Sequence, residues 1–149
     1  MVITDFDGII TDNCVYISSA GDMSRKLNFK DIMAFSLLKK KGYEVAIISG
    51  EANSAIDVIK NKFDIKEVHQ SIRNKLEVLT DIVNRYSLTK EEYIYIGDDV
   101  NDFDSLSHSK FSVTVPNAID KVKSIEGIQI TKSFGGDGAF REVVDALIY

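Results

Sequence analysis

Two acidic clusters stand where this chain could do chemistry. Asp5-Phe6-Asp7-Gly8 closes one short apolar run, and Gly97-Asp98-Asp99-Val100-Asn101-Asp102 closes another. Asp5 and Asp7 are two residues apart, so in extended chain their side chains point to the same side. Two neighbouring carboxylates repel each other, and burying them unpaired is costly. A hard divalent cation bound through oxygen relieves both problems, and magnesium is the natural choice. A helix N-cap needs only one carboxylate, so Asp98, Asp99 and Asp102 together point the same way. Ser49-Gly50 follows a third apolar run. It is either ordinary turn chemistry or a hydroxyl and free N–H groups that hold a phosphate oxygen. Lys75 opens a helical pattern, where a cation opposes the helix dipole. It reads as an exposed lysine or as a point charge on phosphate.

The elements that must position these residues follow from the pattern. Short apolar runs alternate with amphipathic stretches, which predicts parallel strands joined by crossover helices. Strands are expected at Val2–Phe6, Glu44–Ile48, Glu67–His69, Tyr93–Ile96 and Phe111–Val115. Val15–Ile17 and Arg25–Phe29, around Ala20-Gly21-Asp22, predict a β-hairpin after the first strand. Helices are expected from an N-cap at Asp31 to Gly42, and over 53–62, 73–86, 102–106 and 138–148. Thr89 and Glu92 suggest a capping box on a brief turn. The fold class is α/β, a doubly wound parallel sheet over residues 1–149 as a single domain. Such sheets bind ligands at the carboxyl ends of their strands, and all four clusters fall there.

Composition narrows the functions open to the chain. A formal net charge of -5 gives no electrostatic reason to expect nucleic acid. No apolar stretch approaches the ~20 residues of a membrane span, and no basic-then-apolar leader opens the sequence. One cysteine, Cys14, permits no intrachain disulfide, which fits a reducing, cytoplasmic setting. The chain enters its first strand at Val2 with little lead-in, as a domain cut from a longer protein would.

At these residues the sequence resembles the haloacid-dehalogenase-like phosphohydrolases. Their first motif, Asp-x-Asp-Gly-x-x-Thr, is matched by Asp5, Asp7, Gly8 and Thr11. Their second is matched by Ser49, their third by Lys75, and their fourth by Gly97, Asp98, Asp99 and Asp102. The hairpin, the lack of room for a cap domain and the tail Gly135-Gly136-Asp137-Gly138-Ala139-Phe140-Arg141-Glu142 resemble the capless sugar-acid phosphate phosphatases. That group includes the octulosonate 8-phosphate and nonulosonate 9-phosphate phosphatases and a domain fused to acylneuraminate cytidylyltransferases.

The resemblance implies a magnesium-dependent phosphomonoesterase. Asp5 is the nucleophile and Asp7 the general acid and base. Magnesium is held by Asp5, the Asp7 carbonyl and Asp98, and phosphate by Ser49, Gly50 and Lys75. Asp99 and Asp102 orient these groups from behind. Asn28, Asp31, Glu51 and Lys62 are candidate sugar contacts, and the assembly is a homotetramer joined through hairpins. Departures bear on the substrate. Glu51 stands where the octulosonate branch has Arg, and Lys62 lies at the spacing that accompanies Glu in the nonulosonate branch. Asp31-Ile32 replaces Asp-Gly, and Asp137 replaces Arg. A signalling receiver domain is disfavoured, because the third strand ends in His69-Gln70-Ser71 with no phospho-accepting Asp. A non-catalytic oligomerisation domain of a cytidylyltransferase is the alternative.

Overall fold

The computed structural model describes residues 1–149. β1 (Val2–Thr4), β4 (Val45–Ile48), β5 (Glu67–His69), β6 (Ile94–Ile96), β7 (Phe111–Thr114) and β8 (Gln129–Ile130) form one sheet in the order β5-β4-β1-β6-β7-β8. Every pairing in it is parallel. The chain starts at the centre, winds out through β4 and β5, then returns to β6 on the other side of β1. That reversal makes the carboxyl end of β1 the switch point where such folds open a crevice.

Helices α1 (Phe29–Lys40), α2 (Ser54–Phe63), α3 (Lys75–Arg85), α4 (Phe103–His108), α5 (Asp120–Lys123) and α6 (Ala139–Ile148) connect and flank the strands. Strands covered on both faces should read as unbroken apolar runs. Val2, Ile3, Ala46, Ile47 and Ile48 accordingly have no exposed surface. Phe35 of α1 joins α2 and α6 to this core, its ring 5.5 Å from Phe63 and 4.7 Å from Phe140. No helix is long and apolar enough to cross a membrane.

The expected hairpin is present, but its return arm is earlier and shorter. β2 (Tyr16–Ile17) pairs antiparallel with β3 (Met23–Ser24), and 25–28 lead unpaired into α1. The N-cap of α1 is therefore Asn28, whose side chain accepts the Lys30 amide at 2.9 Å, and not Asp31. Asp31 lies within the first turn, and its carboxylate reaches the start of α6 instead. β8 and α5 were not predicted. They are two and four residues long, too short to show a period. Thr89 donates both its amide and its hydroxyl to Glu92 Oε2 at 2.8 Å, on a turn that starts no helix.

Candidate active site

Strand register brings the four clusters together. Thr4 pairs with Ile47 of β4 and with Ile96 of β6, so Asp5, Ser49 and Asp98 leave the sheet at nearly one level. The crevice between them has a volume of about 560 Å³, and Ile72 is the one apolar residue in its lining. Asp5, Asp7, Ser49, Gly50, Asp98 and Asp99 all line it.

Asp5 is 5% exposed. Its Oδ1 accepts the Phe6 amide at 2.6 Å and lies 3.0 Å from Lys75 Nζ, while its other oxygen makes no hydrogen bond in the protein. Lys75 is fully buried and also donates to Asp102 Oδ1 at 2.8 Å. Asp102 Oδ1 accepts the Tyr95 hydroxyl at 2.8 Å as well, and Asp102 Oδ2 accepts the Asp98 and Asp99 amides. Both Asp102 oxygens are thus engaged, and Asp102 aims Lys75 at Asp5.

Asp99 caps the short helical turn Val100–Asp102, accepting the Val100 amide at 2.6 Å in a capping box with Asp102. It does not touch Lys75, so the orienting role expected of the pair falls to Asp102.

Asp98 is 3% exposed, and its Oδ1 is buried without any hydrogen-bond partner. Burial, reinforced by Asp102 and Asp99, pushes its carboxyl up to about 7. Burial and then Asp102 also raise Asp5 well above the usual carboxylate range. Burial alone would lower Lys75, yet Asp5 and Asp102 more than offset it and the ammonium is held above its ordinary value. Both partners of this pair thus shift upward, which favours the charged ammonium and disfavours the charged carboxylate. Lys75 stays charged, and the rise at Asp5 reflects its burial first and then the neighbouring carboxylates of Asp102 and Asp98, which Lys75 only partly offsets.

Carboxylate oxygens of Asp5, Asp98 and Asp102 lie within 4.8 Å of one another. An orphaned buried oxygen in an all-oxygen, electron-rich setting fits a hard divalent cation. Because Asp102 is fully bonded, the free oxygens that suit such an ion belong to Asp5 and Asp98. Gly8 belongs to the same design. It sits at φ +91°, and a Cβ there would overlap the Asp98 carboxylate.

Asp7 is held by Thr11 of the first motif and by two residues, Arg25 and Asn53, that the sequence does not single out. Arg25 Nε lies 2.8 Å from its Oδ1, Thr11 donates to the same oxygen at 3.1 Å, and Asn53 reaches Oδ2 at 3.4 Å. Arg25 comes from the segment after β3, so only the tertiary fold links it to Asp7. Asn13 approaches Asp98 Oδ2 at 3.5 Å, and Arg73 and Asn101 complete the crevice lining.

The candidate sugar contacts divide. Glu51 is exposed and lines the crevice. Asn28 does not line it; its amide instead reaches Asp137 at 3.4 Å. Asp31 is fully buried, with its two oxygens accepting the Gly138 and Arg141 amides at 3.0 and 2.9 Å. It fixes the start of α6 and is not available to a sugar. Lys62 sits in the last turn of α2, exposed beside Phe63. The crevice faces the first turn of that helix, roughly 12 Å away along its axis. Within one chain Lys62 therefore does not reach the site.

Comparison with known proteins agrees with this geometry. Residues 22–140 match the family model of the haloacid dehalogenase-like hydrolases. The 3-deoxy-D-manno-octulosonate 8-phosphate phosphatase of Escherichia coli K12 is 28% identical over 148 residues, covering 99% of this chain and 78% of that protein. The crystal structure of the corresponding Moraxella catarrhalis phosphatase, in complex with magnesium, phosphate and KDO, superposes with a TM-score of 0.92. Identity is 27%, and the match covers 99% of this chain and 84% of that one. The cobalt-bound Haemophilus influenzae deoxy-D-mannose-octulosonate 8-phosphate phosphatase gives 0.90 at 27% identity, over 99% and 85%.

Proposed function

We infer the function from family and geometry together: the chain belongs to the haloacid dehalogenase-like hydrolases. It is a phosphatase that works with a divalent cation. The finer reading is a proposal. The substrate is a 2-keto-3-deoxy sugar-acid phosphate, an octulosonate 8-phosphate or a nonulosonate 9-phosphate, hydrolysed by a cytoplasmic homotetramer through a phosphorylated Asp5. The octulosonate phosphatases among its relatives support the substrate class.

Asp5 and Asp98 offer carboxylate oxygens to the cation, and Asp7 its main-chain carbonyl. When bound, magnesium supplies Lewis-acid charge that lets a phosphate dianion approach a carboxylate. The Asp5 oxygen that Lys75 leaves free attacks phosphorus in line. As that bond forms, the bond from phosphorus to the sugar oxygen breaks, and Asp7 gives that oxygen a proton. Water then attacks the phosphoryl group and gives a proton back to Asp7. Inorganic phosphate departs and the Asp5 carboxylate is restored. Ser49 Oγ and the backbone near Gly50 hold the transferring oxygens, with Lys75 behind Asp5 countering their charge.

The observation that carries this reading is the buried, unpartnered Oδ1 of Asp98, a residue whose carboxylate comes within 4.8 Å of that of Asp5. The test is magnesium-dependent phosphate release from sugar-acid phosphates, abolished by chelator and by Asp5→Asn with an unchanged circular dichroism spectrum. Turnover by that variant above roughly 1% of wild type would remove the nucleophile, since loss of such a group costs several orders of magnitude.

A further inference from the structure

We propose that Arg73 recognises a carboxylate carried on the substrate's leaving sugar, an assignment that rests on the phosphatase reading above. Five carboxylates line the crevice, those of Asp5, Asp7, Glu51, Asp98 and Asp99, against one guanidinium, that of Arg73. The neighbouring cations are committed elsewhere. Lys75 bridges Asp5 and Asp102, Arg25 is paired with Asp7, and Lys26 with Asp12 at 3.0 Å. Arg73 is exposed and takes part in no ion pair.

Its backbone is nevertheless fixed. On one side the Ile72 amide donates to the Ser49 carbonyl at 3.0 Å, and the Ile72 side chain packs on the core. On the other, Asn74 caps α3 by accepting the Glu77 amide at 3.3 Å. Arg73 is therefore anchored at the rim beside the phosphate site, and only its side chain is free to move. A cation just before the start of α3 opposes the helix dipole. An incoming anion answers both that dipole and the guanidinium.

The phosphoryl group has its own partners in Ser49 and the backbone near Gly50, with Lys75 countering its charge from behind Asp5. The anion left for Arg73 is therefore a second one. A planar guanidinium fork matches a carboxylate in two parallel hydrogen bonds. Glu51, on the α2 side of the same rim, repels that carboxylate and accepts from hydroxyls. The pair thus sets which way round a sugar acid lies.

The test compares a 2-keto sugar-acid phosphate with p-nitrophenyl phosphate, which carries no carboxylate. In Arg73→Ala the ratio of kcat/KM between the two should fall by about 10- to 100-fold, the range expected for a charge-assisted hydrogen bond. The loss should lie mainly in KM for the sugar acid. Arg73→Lys should recover part of it. Inhibition by the free sugar acid should weaken by a similar factor. An unchanged ratio would make Arg73 a solvated surface residue, and an equal fall for both substrates would place it on the phosphoryl group. Either result overturns the assignment while leaving the phosphatase standing. A wild type that hydrolyses neither ester overturns both.

Discussion

Asp98 shows how this fold trades stability for chemistry. A buried carboxylate with one oxygen unpartnered is a burden to the metal-free protein. Asp98→Asn removes that charge at nearly constant shape. It should raise metal-free stability by about 1–2 kcal/mol, or a few degrees in Tm, at slightly alkaline pH in chelator. The same variant should lose the thermal shift that magnesium gives the wild type. A melt in which Asp98→Asn is less stable than wild type in chelator, or responds equally to magnesium, would contradict the view of Asp98 as a cation ligand. The acidic clusters were legible because their residue types and spacing exceeded what a turn or a cap requires. Arg25, Asn13 and Arg73 were not, because a single cation or amide carries no period and gains meaning only from what the fold brings beside it. Asp31 misled for the opposite reason: the carboxylate suits a helix start, but the start it serves is that of α6.

At the scale of elements, the buried strands could be read closely, since a strand covered on both faces needs an apolar run. β8 and the hairpin arms could not, being two residues each with exposed side chains. The end of β5 illustrates how such a short strand is held. Glu67 accepts both Arg85 Nη1 and Nη2, at 2.7 and 2.8 Å, and also meets His69 and Tyr86. This ties β5 to the last turn of α3. Hydrogen bonds from Arg85, opposed by burial and assisted by His69, lower the Glu67 carboxyl to about 2 from an ordinary 4.5. A depressed carboxyl contributes stability above its unfolded value, and that contribution is lost as pH falls through the folded value. Glu67→Gln should therefore cost about 1–2 kcal/mol near neutrality, after allowance for the half-exposed Arg85. The gap to wild type should close between pH 4.5 and about 2. Urea titrations across that window that keep a constant gap would assign Glu67 a packing role instead.

At the scale of the whole molecule, the hairpin and the residue before it gather four exposed apolar side chains in one short stretch. Ile17 is 68% exposed and Met23 63%; Val15 and Tyr16 beside them are exposed too. They cannot be ascribed to loose packing, because the core beneath the sheet is closed around 29 residues. Scattered apolar side chains are normal on a surface, but a projecting cluster of this kind marks an interaction site. The segment after β3 also delivers Arg25 to Asp7, so whatever steadies the hairpin steadies the general acid. A closed ring of copies joined through hairpins satisfies both needs. Light scattering should then give a mass four times the 16.6 kDa of one chain. Ile17→Asp combined with Met23→Asp should give a folded monomer with an unchanged far-ultraviolet spectrum. Its kcat should fall more than its KM rises, because Asp7 loses its fixed support while Ser49 and Lys75, the residues proposed to meet phosphate, are set by the end of β4 and the start of α3. A wild-type monomer at micromolar concentration would rule out the ring. A tetramer that survives both aspartates would place its contacts elsewhere on the surface.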